Sequence, residues 1–217
     1  DDEPYLVVAD GKLYWIVEGY TTTDRYPYSQ PVRGVGNYIR NSVKAVVDAY
    51  HGDVTFYLVE PDEPIARTYA KIYPSLFQPL EAMPESIRAH LRVPETYFQI
   101  LAQVLTIYHM QDPVVFYNRE DAWSIPQEIY GERPTTMEPY YVITQLPGEE
   151  RPEFILLMPF TPVRRDNMVG WLAARNDGEH YGEGILYLFP KERLTFGPMQ
   201  IEARIDQDPY ISELLTL

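Results

Sequence analysis

Two arginines side by side, Arg164-Arg165-Asp166-Asn167, stand out in a chain of 18 basic and 32 acidic residues with a formal charge of -14. Guanidinium groups pair bidentately with carboxylate or phosphate, so a local surplus of them can hold an anionic ligand or a partner's acidic side chain. The other candidate is the polar loop 21–30. There Asp24, Arg25, Tyr26 and Tyr28 set both charge signs and two aromatic rings around Pro27, with no periodicity that would bury them. The two stretches are expected to lie together as a ligand-binding patch, with Tyr26 and Tyr28 as its walls. Each also has a plainer role. Asp166 or Asn167 would cap a helix while the arginines pair with nearby acids, and Thr22, Thr23 and Asp24 would form a self-bonded turn.

Other chemistry-bearing residues are scattered. His51, His90, His109 and His180 include no pair at the i, i+3 or i, i+4 spacing that puts two imidazoles on one helix face for a metal. Asp206-Gln207-Asp208 and Glu213 faintly resemble a calcium loop, but Pro209 stands where the sharp turn needs glycine. Gly34-Val35-Gly36 lacks the third glycine of a dinucleotide fingerprint, and no strand precedes it. There is no phosphate-cradling loop and no Gly-x-Ser-x-Gly elbow. The absence of cysteine removes disulfides, thiolate zinc and thiol nucleophiles together. No metal, cofactor or catalytic residue is therefore assigned. Of the 19 tyrosines, Tyr14, Tyr57, Tyr69, Tyr97 and Tyr187 fall in strand or helix patterns and read as core residues with a polar tip.

The acidic balance argues against nucleic acid, which needs a basic surface, and against anionic lipid headgroups. The apolar runs 100–108 and 154–160 are too short to span a bilayer, so direct membrane insertion is not expected. With Asp1 first, no signal-like segment, and residues 210–217 reading as an element begun and not finished, the chain is taken as an excised piece of something larger.

The elements that must position these residues centre on 36–73. Ile39, Val43, Val46, Val47 and Tyr50 recur at steps of three and four, which predicts a helix over 37–50, with Asn37 as N-cap and Gly52 past its end. Val54, Phe56 and Leu58 predict an inner strand that is apolar on both faces and must be covered on both. After Pro61-Asp62-Glu63-Pro64 a second helix is expected to residue 73. Before this helix–strand–helix unit, residues 5–8 and 13–17 predict a hairpin about Asp10-Gly11. After it come a short helix over 86–92 and a longer one over 95–110. The long one is expected to bury Tyr97, Ile100, Leu101, Val104, Ile107 and Tyr108, and Asp112-Pro113 breaks it. Strands are expected at 114–117, 140–144, 154–157, 185–189 and 200–205, with a helix over 167–174 and a turn at Pro147-Gly148. The expected class is α+β, a mixed sheet with helices packed on it. Residues 1–217 form one domain, with a composition shift near residue 112 marking where it would subdivide.

Several runs resemble one family. They are Thr23-Asp24-Arg25-Tyr26-Pro27-Tyr28-Ser29, residues 37–50, Tyr108-His109-Met110-Gln111-Asp112-Pro113 and Phe116-Tyr117-Asn118-Arg119-Glu120-Asp121. Met137-Glu138-Pro139-Tyr140-Tyr141, Arg165-Asp166-Asn167-Met168, Trp171-Leu172-Ala173-Ala174-Arg175 and residues 197–208 complete the set. The family is that of very large, uncharacterised bacterial multi-pass integral membrane proteins. The resemblance covers essentially the whole chain. It implies that the chain is part of the soluble region, on the extracytoplasmic side of the cell membrane, and that its first partner is the remainder of its membrane-anchored parent. It implies no activity and no catalytic residue. The reading is a ligand- or protein-binding module rather than an enzyme. The alternatives are a cell-envelope hydrolase and a purely structural part of the parent.

Overall fold

Asp10 and Gly11 both take positive φ, 50° and 73°, the backbone a tight two-residue hairpin requires. They join β1 (Tyr5–Ala9) to β2 (Lys12–Thr23), and β3 (Tyr38–Asp48) pairs antiparallel with β2 along its length. The computed structural model describes residues 3–130 and 133–216. These form two compact units, divided between residues 97 and 98.

In the first unit β4 (Val54–Leu58) follows β3, then α1 (Pro64–Ile72) crosses to β5 (Phe77–Pro79), which lies parallel to β4. The sheet order is β1-β2-β3-β4-β5. A 3-10 turn (Leu80–Ala82), α2 (Glu85–Arg88) and the first residues of α3 (Glu95–Tyr108) complete the unit. The expected helix over 37–50 is therefore a strand, and the central unit is strand–strand–helix. Ile39, Val43, Val46 and Val47 are β-branched, and their χ1 restriction suits a pleated surface. Asn37 caps no helix. Its side chain clamps the preceding loop, accepting from Tyr26 N at 3.0 Å and donating to Tyr26 O at 2.7 Å and Ser29 O at 3.4 Å.

One face of this sheet is closed by Val7, Ala9, Ile16, Val46 and Tyr57, all buried. It also holds Lys44 and Glu18, cross-strand partners at 0% and 3% exposure. The ammonium donates to Glu18 Oε2 and to Arg92 O at 3.3 Å, and Asn41 Nδ2 donates to the same Oε2 at 2.9 Å. Burial pushes Lys44 below its ordinary pKa while Glu18 pulls it back up. The opposite face carries the rows Val8–Leu13, Leu6–Trp15–Val47–Val54, Val17–Ala45–Phe56–Phe77 and Gly19–Val43–Leu58–Pro79, without a polar residue. β4 is an inner strand, as expected. Its buried residue, however, is Tyr57, while Phe56 and Leu58 are half-buried and Val54 is 48% exposed. The sequence expectation that Val54, Phe56 and Leu58 are core is corrected accordingly.

The second unit takes the rest of α3, then α4 (Pro113–Asn118), β6 (Trp123–Ser124), β7 (Gln127–Tyr130), β8 (Arg133–Thr136), β9 (Tyr140–Gln145) and β10 (Pro152–Pro162). It continues with β11 (Asn167–Met168), β12 (Gly170–Arg175), β13 (Gly184–Leu188), β14 (Thr195–Phe196), α5 (Pro198–Gln207) and α6 (Pro209–Thr216). Its main sheet runs β13-β12-β10-β6 with β9 also on β10, and β11 pairs with β14. Four expectations change here. Residues 114–117 are helical, because Asp112 accepts from Val114 N and Val115 N at 2.8 and 3.1 Å and Pro113 fits the first turn. Residues 167–174 are two strands. Residues 200–205 lie in α5, also started by a proline. Along α3 the buried residues are Phe98 and Ala102, whereas Leu101, Val104 and Tyr108 are exposed. Asp208 caps α6, its Oδ1 accepting from Tyr210 N and Ile211 N at 3.0 and 3.1 Å, which accounts for that acidic turn. Among the described residues no helix is long and apolar enough to cross a membrane, and no group of three or more His, Asp or Glu is placed to hold a metal.

A cation-rimmed cleft in the second unit

Arg165 sits in a turn whose shape is set by its neighbours. Arg165 N donates to Pro162 O at 3.1 Å, and Arg164 takes the left-handed φ of 64°. Val163 N donates to Ala122 O at 3.1 Å, which ties the turn to the segment before β6. On its far side, Asn167 and Met168 pair with Phe196 and Thr195. Gly197 lies so close to this turn that a Cβ there would stand 1.9 Å from Asp166 O. The turn is thus braced from both sides by backbone.

The turn forms one wall of a cleft of about 1070 Å³. Its floor includes Trp123, 7% exposed, which is packed on Phe160 at 5.4 Å and on the His109 ring at 3.4 Å, nearly parallel. Leu105, Met168, Val169, Leu186, Leu188 and Phe189 give further apolar wall. The His109 nitrogens face backbone oxygens, Nδ1 at 2.9 Å from Leu105 O and Nε2 at 3.0 Å from Asp121 O. Both positions of the ring are thereby engaged by the end of α3 and the 119–122 segment.

Four cations stand around this apolar bed. Arg119 ends α4 in the left-handed conformation at φ 55°, Arg165 comes from the turn, and Lys191 and Arg193 come from the segment after β13. Among the described residues none of the four lies within ion-pair distance of a carboxylate. Arg133, Arg151, Arg164 and Arg204 likewise make no ion pair among the described residues, so what sets these four apart is that they line one cleft. Glu120, Asp121 and Glu192 also line the cleft, so its rim is mixed but tips positive. Arg175 shows the contrast. It is 5% exposed and held by Glu153, by Glu149 at 3.2 Å and by Glu183 at 3.5 Å.

Of the residues singled out in the sequence, Arg165 and Asn167 line this cleft, and Arg164 and Asp166 are exposed beside it. Neither Asp166 nor Asn167 caps a helix, since no helix follows. Asp24, Arg25, Tyr26 and Tyr28 belong to the first unit. There Asp24 and Arg25 are 84% and 92% exposed and 3.9 Å apart, and Tyr28 is fully exposed with φ 60°. Tyr26 stacks on Tyr38 at 5.4 Å, and Arg40 stands 4.9 Å from the Tyr38 ring. Tyr38 donates to Glu63 Oε1 at 2.7 Å. Burial and the Glu63 carboxylate push its hydroxyl up to about 12. Glu63 in turn caps α1, accepting from Ile65 N at 3.2 Å and Ala66 N at 2.6 Å. Sequence reasoning missed His109, Arg119, Trp123, Lys191 and Arg193. The signals it had were the cationic doublet Lys191-x-Arg193 and the stretch Tyr108–Asp121, which was noted only for its family likeness.

The fold and cleft define an α+β module with an amphipathic, cation-rimmed site. The family model for the uncharacterised protein family UPF0182 matches residues 1–217, and the chain belongs to that family. Relatives from Methanospirillum hungatei and Moorella thermoacetica are each 57% identical over all of this chain, and one from Geobacter sulfurreducens is 56% identical. The chain covers 25%, 24% and 24% of those three proteins, so it spans about a quarter of their length. No solved structure matches.

Proposed function

We propose that the chain is a ligand-binding module of a larger, membrane-anchored protein on the extracytoplasmic side, and that its ligand is an amphipathic anion seated in the second-unit cleft. The carboxylate or phosphate would meet Arg119, Arg165, Lys191 and Arg193, and an apolar body would lie over Trp123, Met168 and Leu188. One observation carries this reading. Four cations without ion-pair partners among the described residues line one partly apolar cleft in a strongly acidic unit. Arg175, by contrast, is committed to the fold inside a cage of three carboxylates. Binding is favoured over hydrolysis because both nitrogens of the cleft's histidine face backbone carbonyls.

The test uses a sulfonate-bearing fluorophore, 1-anilinonaphthalene-8-sulfonate, and its uncharged relative N-phenyl-1-naphthylamine. Arg165→Ala with Arg193→Ala should weaken the charged probe by about tenfold or more, as loss of charge-assisted contacts does, and leave the neutral probe unchanged. Equal affinity of both probes for both proteins would refute the site. Location is tested separately. The chain has no cysteine, so Tyr28→Cys in the intact gene product should react with a membrane-impermeant maleimide in whole cells if the module lies outside.

A further inference from the structure

The second face of the first unit's sheet is patterned for cover that the unit's own described residues supply only in part. Leu6, Trp15, Val47 and Val54 run in register across four strands, with Val8 and Leu13 in the next row. Leu6, Val8, Trp15 and Val54 are 46%, 63%, 41% and 48% exposed. A sheet with one face to water alternates apolar and polar residues, whereas strands apolar on both faces occur where both are covered. Here the first face is buried around Ile16, Val46 and the Lys44–Glu18 pair, and the second carries no polar residue along these rows, so both faces are patterned for cover.

We infer that this face is a docking surface for an apolar polypeptide segment of the same parent chain, from outside the 217 residues. The relatives are about four times as long as the matched region, so such a segment is available to them. Charge disfavours the other occupants. A second copy would bring a formal charge of -14 against -14, and an anionic lipid surface would repel the chain in the same way. The face itself carries no ionisable group, so only an apolar counterpart meets it without leaving a charge unsolvated.

The absence of cysteine gives a clean reporter. Val8→Cys is prepared in the 217-residue chain and in the intact gene product, and alkylation of the peptide carrying position 8 is timed by mass spectrometry. At least tenfold slower labelling in the intact product is expected, while a Tyr28→Cys control labels equally in both. Equal rates at position 8 overturn the inference. A photo-crosslinker at position 8 then identifies the occupant. Adducts with peptides outside the 217 residues support the inference, and adducts with lipid or with a second copy overturn it. Val8→Asp, at the most exposed of the four positions, supplies an independent reading. It should leave the melting temperature of the 217-residue chain unchanged but make the intact product sensitive to protease. Resistance equal to wild type in the intact product counts against the inference.

Discussion

Lys44 in the first unit and Arg165 in the second are both cations on an acidic chain, and the structure treats them oppositely. Lys44 is fully buried, on the Glu18 carboxylate and the Arg92 carbonyl. Arg165 stands exposed on a cleft wall, with no carboxylate within ion-pair range among the described residues. A buried charge must be matched by the fold, because desolvation costs several kcal/mol per ion. An unmatched charge at a cleft keeps its pairing capacity for something else. Partner geometry therefore marks Lys44 as structural where residue type cannot, and Arg165 is set apart by the cleft it lines.

The largest effect should come from breaking the buried pair. Glu18→Ala leaves Lys44 without its carboxylate and should cost about 3–5 kcal/mol in urea unfolding. Joint replacement, Glu18→Leu with Lys44→Met, should recover most of that loss, since an apolar pair of similar volume suits a buried site. If the single and double variants lose the same stability, the pair is not coupled. Arg175→Ala comes next. Removing the hub of Glu149, Glu153 and Glu183 should cost about 3 kcal/mol, read as a lower melting temperature with the cleft's probe affinity retained in the folded fraction.

A smaller effect belongs to the Tyr38–Glu63 contact. Glu63→Ala removes the α1 cap and should cost about 1–2 kcal/mol. The same contact predicts a pH signature. Folded Tyr38 keeps its proton up to about 12, above the ordinary 10.0. Between these values the folded chain binds more protons than the unfolded one, so stability falls as pH rises through the window. Tyr38→Phe should flatten that fall in alkaline melts. Lys44 acts the other way. Its folded value lies below 10.5, so its contribution rises with pH up to that value.

Much of this was legible in the sequence, and the failures have physical causes. The Asp10-Gly11 hairpin was readable from its turn chemistry, α1 from apolar spacing after Pro64, and β9, β10 and β13 from runs of β-branched, aromatic and leucine residues. Strand β3 was lost because Lys44 and Ser42 occupy its buried face, which disguises the alternation and leaves Val43, Val46 and Val47 at helical steps. The reverse happened at 114–117, where a β-rich run was overruled by the Asp112-Pro113 cap. Residues 200–205 alternate like a strand, but Pro198 starts a helix through them. At the site, Arg165 and Asn167 were found because two arginines are locally conspicuous. His109, Trp123, Arg119 and Arg193 were not, because only the pairing of β6 with β10 and the turn at 162–165 bring those distant segments to one cleft.

The smallest stability effect is expected at the cleft itself. Arg165→Ala and Arg193→Ala should each change unfolding free energy by no more than about 0.5 kcal/mol, as exposed side chains without partners do. The central claim, that these cations serve a ligand, is tested most directly by nuclear magnetic resonance of the 217-residue chain titrated with dodecyl phosphate below its micelle concentration. The Trp123 indole, the amides of 119–123, 165–169 and 186–194, and the guanidinium Nε–H signals of Arg165 and Arg193 should shift together with one dissociation constant, while Arg175 stays fixed. Shifts spread over unrelated surface cations such as Arg25 and Arg67, with the cleft signals unmoved, would contradict it.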